Sequence, residues 1–251
     1  MAPVHTAAIV LHSIRYGETS KIVRLATREL GIQSAIAKGA MREKSRFGAK
    51  LQTLSQGMAQ LYVKSTRELQ TLAEFEPTKL RRELAGDITK YAVAESLAEL
   101  MLRVAPAEAN TELFDQLETD LDELVAIDTE HLQVSALMIL WNAVNALGFT
   151  PALKLCARDG RELPSGSVAF SVDDGGFLCK RCSPGRGATT SRLPEEDRVL
   201  LEQLVAGVGD RSQKLSAKRN AAHKRLLARF VTCHLTEGTP LKALSYWESL
   251  G

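Results

Sequence analysis

Lys21-Ile-Val-Arg-Leu-Ala-Thr-Arg-Glu-Leu-Gly-Ile-Gln-Ser-Ala-Ile-Ala-Lys38 decides how the first part of this chain is read. Polar and apolar side chains alternate over 21–27 and again over 32–38, the period of a half-buried strand. Glu29-Leu-Gly31 between them is a turn signal. Residues 6–14 are β-rich, and 58–64 and 68–75 add two more strands before Pro77 ends the run. Five short strands at this spacing predict a small closed barrel.

From about Leu80 the apolar period changes to that of a helix. Ile88, Tyr91, Ala92, Glu95, Leu97, Ala98, Met101 and Leu102 imply a long helix that stops before Pro106. Residues 108–127 read as one broken helix or two shorter ones. Residues 131–147 are the clearest apolar helix, closed by Gly148. The stretch 148–190 is loop-rich, with Ser165-Gly166, Asp173-Asp-Gly-Gly176 and Pro184-Gly-Arg-Gly187. Pro194 opens a helix whose first turn holds Glu195, Glu196 and Asp197, which suits the helix dipole. A longer helix is expected over 212–234, and Thr239-Pro240 is expected to cap a last short one. The expected class is α+β and multidomain, with a barrel domain over 1–78 and a helical domain over 79–251.

Within 149–190 lies a four-position pattern, Cys156-x-x-Asp159 and Cys179-x-x-Cys182. Two such turns bring four side chains towards one ion, and thiolates with a tetrahedral spacing favour zinc. Carboxylate is a poorer zinc ligand than thiolate, so the fourth ligand is Asp159 or water. One structural zinc per chain is expected. Catalytic zinc also uses three protein ligands, but no Glu or His stands nearby in a general-base pattern. The fourth cysteine, Cys233, reads as a small buried hydrophobe on a helix.

The formal net charge of +2 conceals segregation: +5 over 1–77, −7 over 78–155 and +4 over 156–251. Basic ends suggest a polyanionic partner. Between two strands, Lys38, Arg42, Lys44, Arg46 and Lys50 stand with one acid, two glycines and Phe47. Lys and Arg neutralise phosphates and an aromatic ring can stack on a base, so this loop is a candidate nucleic-acid contact. Arg15, Lys21 and Arg24 are additions on neighbouring strands. On the predicted helix 212–234, Lys214, Lys218, Arg225 and Arg229 share one face and form a second stripe for DNA or a partner. The opposite face carries Leu215, Ala222, Leu226, Phe230 and Cys233.

Glu118, Asp120, Asp122 and Glu123 diverge around a helix and read as a solvated face rather than a cation site. The histidines are scattered, and the phosphate-loop and nucleophile-elbow motifs are absent. No apolar run of transmembrane length and no amino-terminal secretory pattern occur, and the cysteine usage suits a reducing compartment, so a cytoplasmic protein is expected.

Taken in order, several segments resemble the RecO family of bacterial recombination mediators. They are Ala8-Ile-Val-Leu-His-Ser13, Tyr16-Gly-Glu18, Thr27-Arg-Glu-Leu-Gly31, Ala37-Lys-Gly-Ala40, Ser45-Arg-Phe-Gly48 and Leu147-Gly-Phe-Thr-Pro151, then Phe170-Ser171 and Gly175-Gly176 ahead of Cys179 and Cys182. The resemblance implies an amino-terminal OB-fold of five strands, a helical carboxy-terminal domain and a zinc knuckle whose fuller pattern has a fourth cysteine where Asp159 stands. It implies a non-enzymatic, nucleoid-associated role in DNA repair. Such proteins bind single- and double-stranded DNA, anneal strands, pair with RecR, recognise the single-strand-binding protein and help RecA load. Two rival classes stay open on the residues alone. One is a zinc-dependent nucleic-acid-modifying enzyme, and the other a zinc-braced adaptor that binds only proteins through the acidic 108–130 stretch.

Overall fold

A computed structural model describes residues 3–183 and 189–250. The Pro184-Gly-Arg-Gly187 loop expected from sequence lies outside the described residues. The chain divides into two compact units, Met1–Ala126 and Ile127–Gly251.

The first unit is built on five strands: β1 (Val4–Tyr16), β2 (Ser20–Thr27), β3 (Gly31–Ala37), β4 (Gln56–Tyr62) and β5 (Leu69–Lys79). They close in the order β1-β2-β3-β5-β4, with β4 back on β1 and β3 parallel to β5. This is the OB arrangement that the resemblance implied. Ala8, Val10, Val23, Leu25, Ala35, Ala37, Leu61, Leu72 and Phe75 point inward and fill the barrel. The alternation in β2 and β3 thus follows from burial of every second side chain. A bulge between Val10 and His12 resets the register of β1 against β2. The strand run does not end at Pro77. It pairs with Gly57 at an irregularity in the β4–β5 ladder, where a missing N–H is tolerated.

Helices α1 (Ile88–Val104) and α2 (Thr111–Ala126) belong to this unit. The change from strand to helix falls at Lys79, as the sequence period indicates, while the compact unit continues to Ala126. Within 108–127 the helix is single and unbroken, Thr111–Ala126, rather than a broken pair. Asp87 caps α1 by accepting from the Thr89 and Lys90 backbone N–H groups. The acidic run on α2 is not simply solvated. Glu118 and Asp122 both accept from Lys79, Asp122 also accepts from the buried Arg81, and Asp120 is 1% exposed. Arg81 also reaches the Leu54 carbonyl and the Gln56 side chain, so helix and barrel share one buried cation. Gly31 has positive φ, and a side chain there would strike the Ala107 carbonyl, which is why that turn needs glycine.

The second unit holds α3 (Leu132–Ala146), α4 (Glu195–Ala206), α5 (Ala217–His234) and α6 (Lys242–Ser249). It also contains a three-stranded sheet missed in the loop-rich reading, β6 (Val168–Ser171), β7 (Gly176–Leu178) and β8 (Thr190–Leu193), in the order β7-β6-β8. These strands are too short to show a period. Phe230 of α5 lies 5.3 Å from Trp141 of α3 and 6.4 Å from Phe170 of β6, joining helices and sheet through one aromatic cluster.

Three sequence expectations fail here for geometric reasons. Helix α5 begins at Ala217, capped by Ser216, so Lys214 is not on it. Cys233 is exposed, and so is Ala222. At 100° per residue Cys233 sits about 120° round from buried Leu227, past the edge of the core-facing arc. The last helix starts at Lys242 after Leu241, two residues later than the Thr239-Pro240 signal placed it.

Candidate metal centre and nucleic-acid interface

The first cysteine turn is closed by Gly160 N–H donating to the Cys156 carbonyl at 2.9 Å, with Gly160 at φ +69. The second is closed by Cys182 and Ser183 N–H donating to the Cys179 carbonyl, both at 3.1 Å. Ala157 N–H donates to the Phe177 carbonyl and ties the two turns together. Gly176 allows this close approach, because a side chain there would collide with the Ala152 carbonyl. As a result one ligand atom each from Cys156, Asp159, Cys179 and Cys182 lies within 4.8 Å of all the others. Both Asp159 oxygens stand 3.7 Å from the Cys179 sulfur. Cys156 and Cys179 are buried with Ala169 and Leu178, while Asp159 is exposed.

The donor set fits a cation. Thiol hydrogen bonds, from Cys156 first, hold the Asp159 carboxyl down at about 2. The backbone N–H of Cys182 holds the Cys179 thiol below its usual range, the polarity a thiolate ligand needs. Burial, then the Asp159 carboxylate, pushes the Cys182 thiol up to about 12. Three thiols and a carboxylate so close cannot all ionise without a counter-charge, and a divalent metal supplies one while displacing the protons. Arg158 stands beside the cluster, held bidentate by Asp174 at 2.9 and 2.7 Å, and donates to the Cys182 carbonyl. The four residues could hold a metal ion, as the spacing predicts.

Several of the barrel's basic residues lie at the end formed by the β1–β2 turn and the loop after β3. Met41 N–H donates to the Thr19 carbonyl at 2.8 Å, so the loop after β3 is fastened to the β1–β2 turn. Arg15 and Lys21 are directly opposed across β1 and β2 at that end. Lys38 follows β3, and Arg42, Lys44 and Arg46 are exposed on the loop. Arg15 is steadied by donating to the Gly17 and Glu18 carbonyls. Lys50 is partly spent, since its ammonium donates to Glu76 at 2.8 Å. Arg24 departs from this set: it has the opposite strand parity from Lys21 and lies on the outer face opposite His12 and Ser34.

Phe47 does not fit the stacking role expected for it. It is 0% exposed and belongs to the barrel core, where an apolar ring gains more from burial than from solvent, with Arg46 5.2 Å above its ring. An exposed aromatic at this end of the barrel is Tyr16, 53% exposed at the end of β1, with exposed Ile14 two residues before it. Sequence reasoning passed over Tyr16. Its signal is an aromatic on the outward parity of a barrel strand, next to Arg15.

On α5, Lys218, Arg225 and Arg229 share the face away from the core, as expected, without Lys214. Two of the other cations on this helix are committed internally. Arg219 donates to Asp197 at 2.7 Å, and the buried Lys224 donates to the Trp247 and Leu250 carbonyls.

Comparison with known proteins comes last. Residues 1–81 match the family model described as Recombination protein O N terminal, and residues 85–244 match Recombination protein O C terminal. A protein named DNA repair protein RecO from Anaeromyxobacter dehalogenans (strain 2CP-C) is 30% identical over 253 residues, covering 100% of this chain and 98% of that one. A protein of the same name from Chlorobaculum parvum is 30% identical over 241 residues, covering 92% of each chain. One from Rubrobacter xylanophilus is 30% identical over 217 residues, covering 83% of this chain and 86% of its own.

Proposed function

This chain belongs to the RecO family of DNA repair proteins, and from that premise we propose that it is a DNA-binding recombination mediator rather than an enzyme. It binds single- and double-stranded DNA through the basic end of the barrel, anneals complementary strands, and acts with RecR to load RecA on DNA coated by single-strand-binding protein. The observation that carries the reading is the fastening of the 38–46 loop to the β1–β2 turn. It draws Arg15, Lys21, Lys38, Arg42, Lys44 and Arg46 to one end of an OB barrel. Barrels of this type bind oligonucleotides on the strand 2–3 face and adjoining loops. Arg24 extends the track along that face, Tyr16 offers a ring for a base, and Lys50 adds little because Glu76 already neutralises it.

Annealing then needs no bond-making. Cations screen the phosphates of both strands, so their repulsion falls while base edges stay free to pair. Cys156, Asp159, Cys179 and Cys182 hold one structural zinc. The metal neutralises part of the thiolate charge and braces the two turns, and the exposed Asp159 is the weakest ligand. The proposed place of action is the cytoplasm, at the nucleoid; among the described residues no helix is long and apolar enough to cross a membrane.

A strand-annealing assay, with and without single-strand-binding protein, tests this reading. The protein should accelerate annealing of both bare and coated complementary strands without nucleotide hydrolysis. DNA binding without any acceleration would remove the annealing role, and no DNA binding at low salt would favour the adaptor that binds only proteins.

A further inference from the structure

The second unit contains a cavity of about 170 Å³ between β8, the start of α4 and the outer side of α5. Its rim carries three guanidinium groups, Arg192 from β8 and Arg225 and Arg229 from α5, with the hydroxyl of Ser191. Its apolar wall is Val172, Leu193 and Leu226. The one carboxylate in the lining, Asp197, is already engaged. It accepts from Arg219 Nε at 2.7 Å and stands 3.2 Å from His223 Nε2. His223 also lines the cavity, is 3% exposed, and its Nδ1 is buried without a hydrogen-bond partner among the described residues. An imidazole fixed at one nitrogen and unsatisfied at the other is expensive to leave in a fold that gains nothing from it. Arg225 likewise makes no ion pair among the described residues.

We infer that this cavity is a separate ligand site, and that its ligand is a single phosphate group carried on a small molecule or at a chain end. Arg192 donates one N–H to Ser167 Oγ at 3.2 Å; a guanidinium carries five N–H donors, and a phosphate monoester has enough oxygens and charge for forked contacts with guanidiniums from two elements. At about 170 Å³ the cavity has room for a terminal phosphate and the waters it would displace. The apolar wall would cover the carbon skeleton next to the phosphate. Asp197, held by Arg219 Nε, fixes the imidazole from within the cavity wall. Lys214 and Lys218, grouped with Arg225 and Arg229 from sequence, do not line the cavity, and Arg192 takes their place.

Calorimetry with inorganic phosphate tests the site on the full chain. A double variant, Arg192→Ala with Arg225→Ala, removes two exposed side chains and should leave the melting temperature unchanged while weakening phosphate binding at least about tenfold. As a second reading, histidine ring signals in NMR should shift with phosphate in the native chain, and His223 should be among them. A parallel arm compares short oligonucleotides with 5′-phosphate and 5′-hydroxyl ends. Preference for the phosphorylated end identifies a DNA terminus as the source; equal binding identifies a free phosphate ester, and both support the site. Absence of phosphate binding, equal affinity in the double variant, or binding of an acidic peptide in place of phosphate would overturn it. The basic end of the barrel is intact in this variant, so a failure here is separable from a failure of DNA binding.

Discussion

The metal cluster and the basic end of the barrel solve opposite problems. In the cluster four ligand atoms converge within 4.8 Å, and removing one leaves the others as mutually repelling or protonated groups. At the barrel end, cations from two strands and a loop are spread along a surface, and any one of them is replaceable. A converging site is written in sequence as fixed spacing and fails all at once. A distributed site is written only as composition and fails by degrees. The same contrast separates the two aromatic residues near the loop: Phe47 is spent on the core, and Tyr16 is left for a ligand.

Four experiments would sharpen or break this contrast, the largest effect first. Cys179→Ser should lower zinc affinity by more than about a thousandfold, read by competition with a chelator, because a thiolate in a closed site supplies several kcal/mol. DNA affinity of the same variant should stay within about twofold; a parallel collapse would show that the two regions are not independent. Native zinc affinity should also rise with pH as the thiols give up protons. Phe47→Ala should destabilise the first unit by about 3–5 kcal/mol in denaturant unfolding, the usual range for emptying a buried aromatic site. A stable variant with weakened DNA binding would return Phe47 to the surface.

Asp120 supplies the third. Burial pushes its carboxyl up to about 7; among the described residues Gln116 donates to one of its oxygens and the other has no partner. The folded state therefore keeps a proton that the unfolded chain loses, and stability falls as pH rises from about 4 to about 7. Asp120→Asn should match the native chain near pH 4 and exceed it above pH 7 by up to about 4 kcal/mol. Equal stabilities at pH 8 would mean the carboxylate is better solvated than its burial indicates. Smallest in energy, Tyr16→Ala should weaken single-stranded DNA by about 1–3 kcal/mol and leave the melting temperature almost unchanged. A large loss of stability instead would make Tyr16 a packing residue.

The barrel was legible because β2 and β3 bury every second residue and their turn carries Gly31. The metal cluster was legible because Cys156, Asp159, Cys179 and Cys182 keep knuckle spacing. Burial of single side chains was not. Phe47 looks like a loop residue in sequence, yet the loop folds it back into the barrel. Ala222 and Cys233 lie just past the buried arc of α5, where a small angular error changes the answer. Asp120 sits among half-buried acids, two of which are paired with Lys79 and Arg81, and only the packing of α2 distinguishes the one that is fully buried. The strands β6, β7 and β8, of three or four residues each, carry too few positions for a period to show.

The central claim is that cations gathered at one end of the barrel receive the DNA phosphates. A salt titration of single-stranded DNA affinity, comparing the native chain with Lys38→Ala/Arg42→Ala/Lys44→Ala/Arg46→Ala, measures it directly. Counterion release predicts that the slope of log affinity against log salt falls by about 2 to 3, near 0.7 per lost contact, with unchanged folding. An unchanged slope in the folded variant would contradict the account.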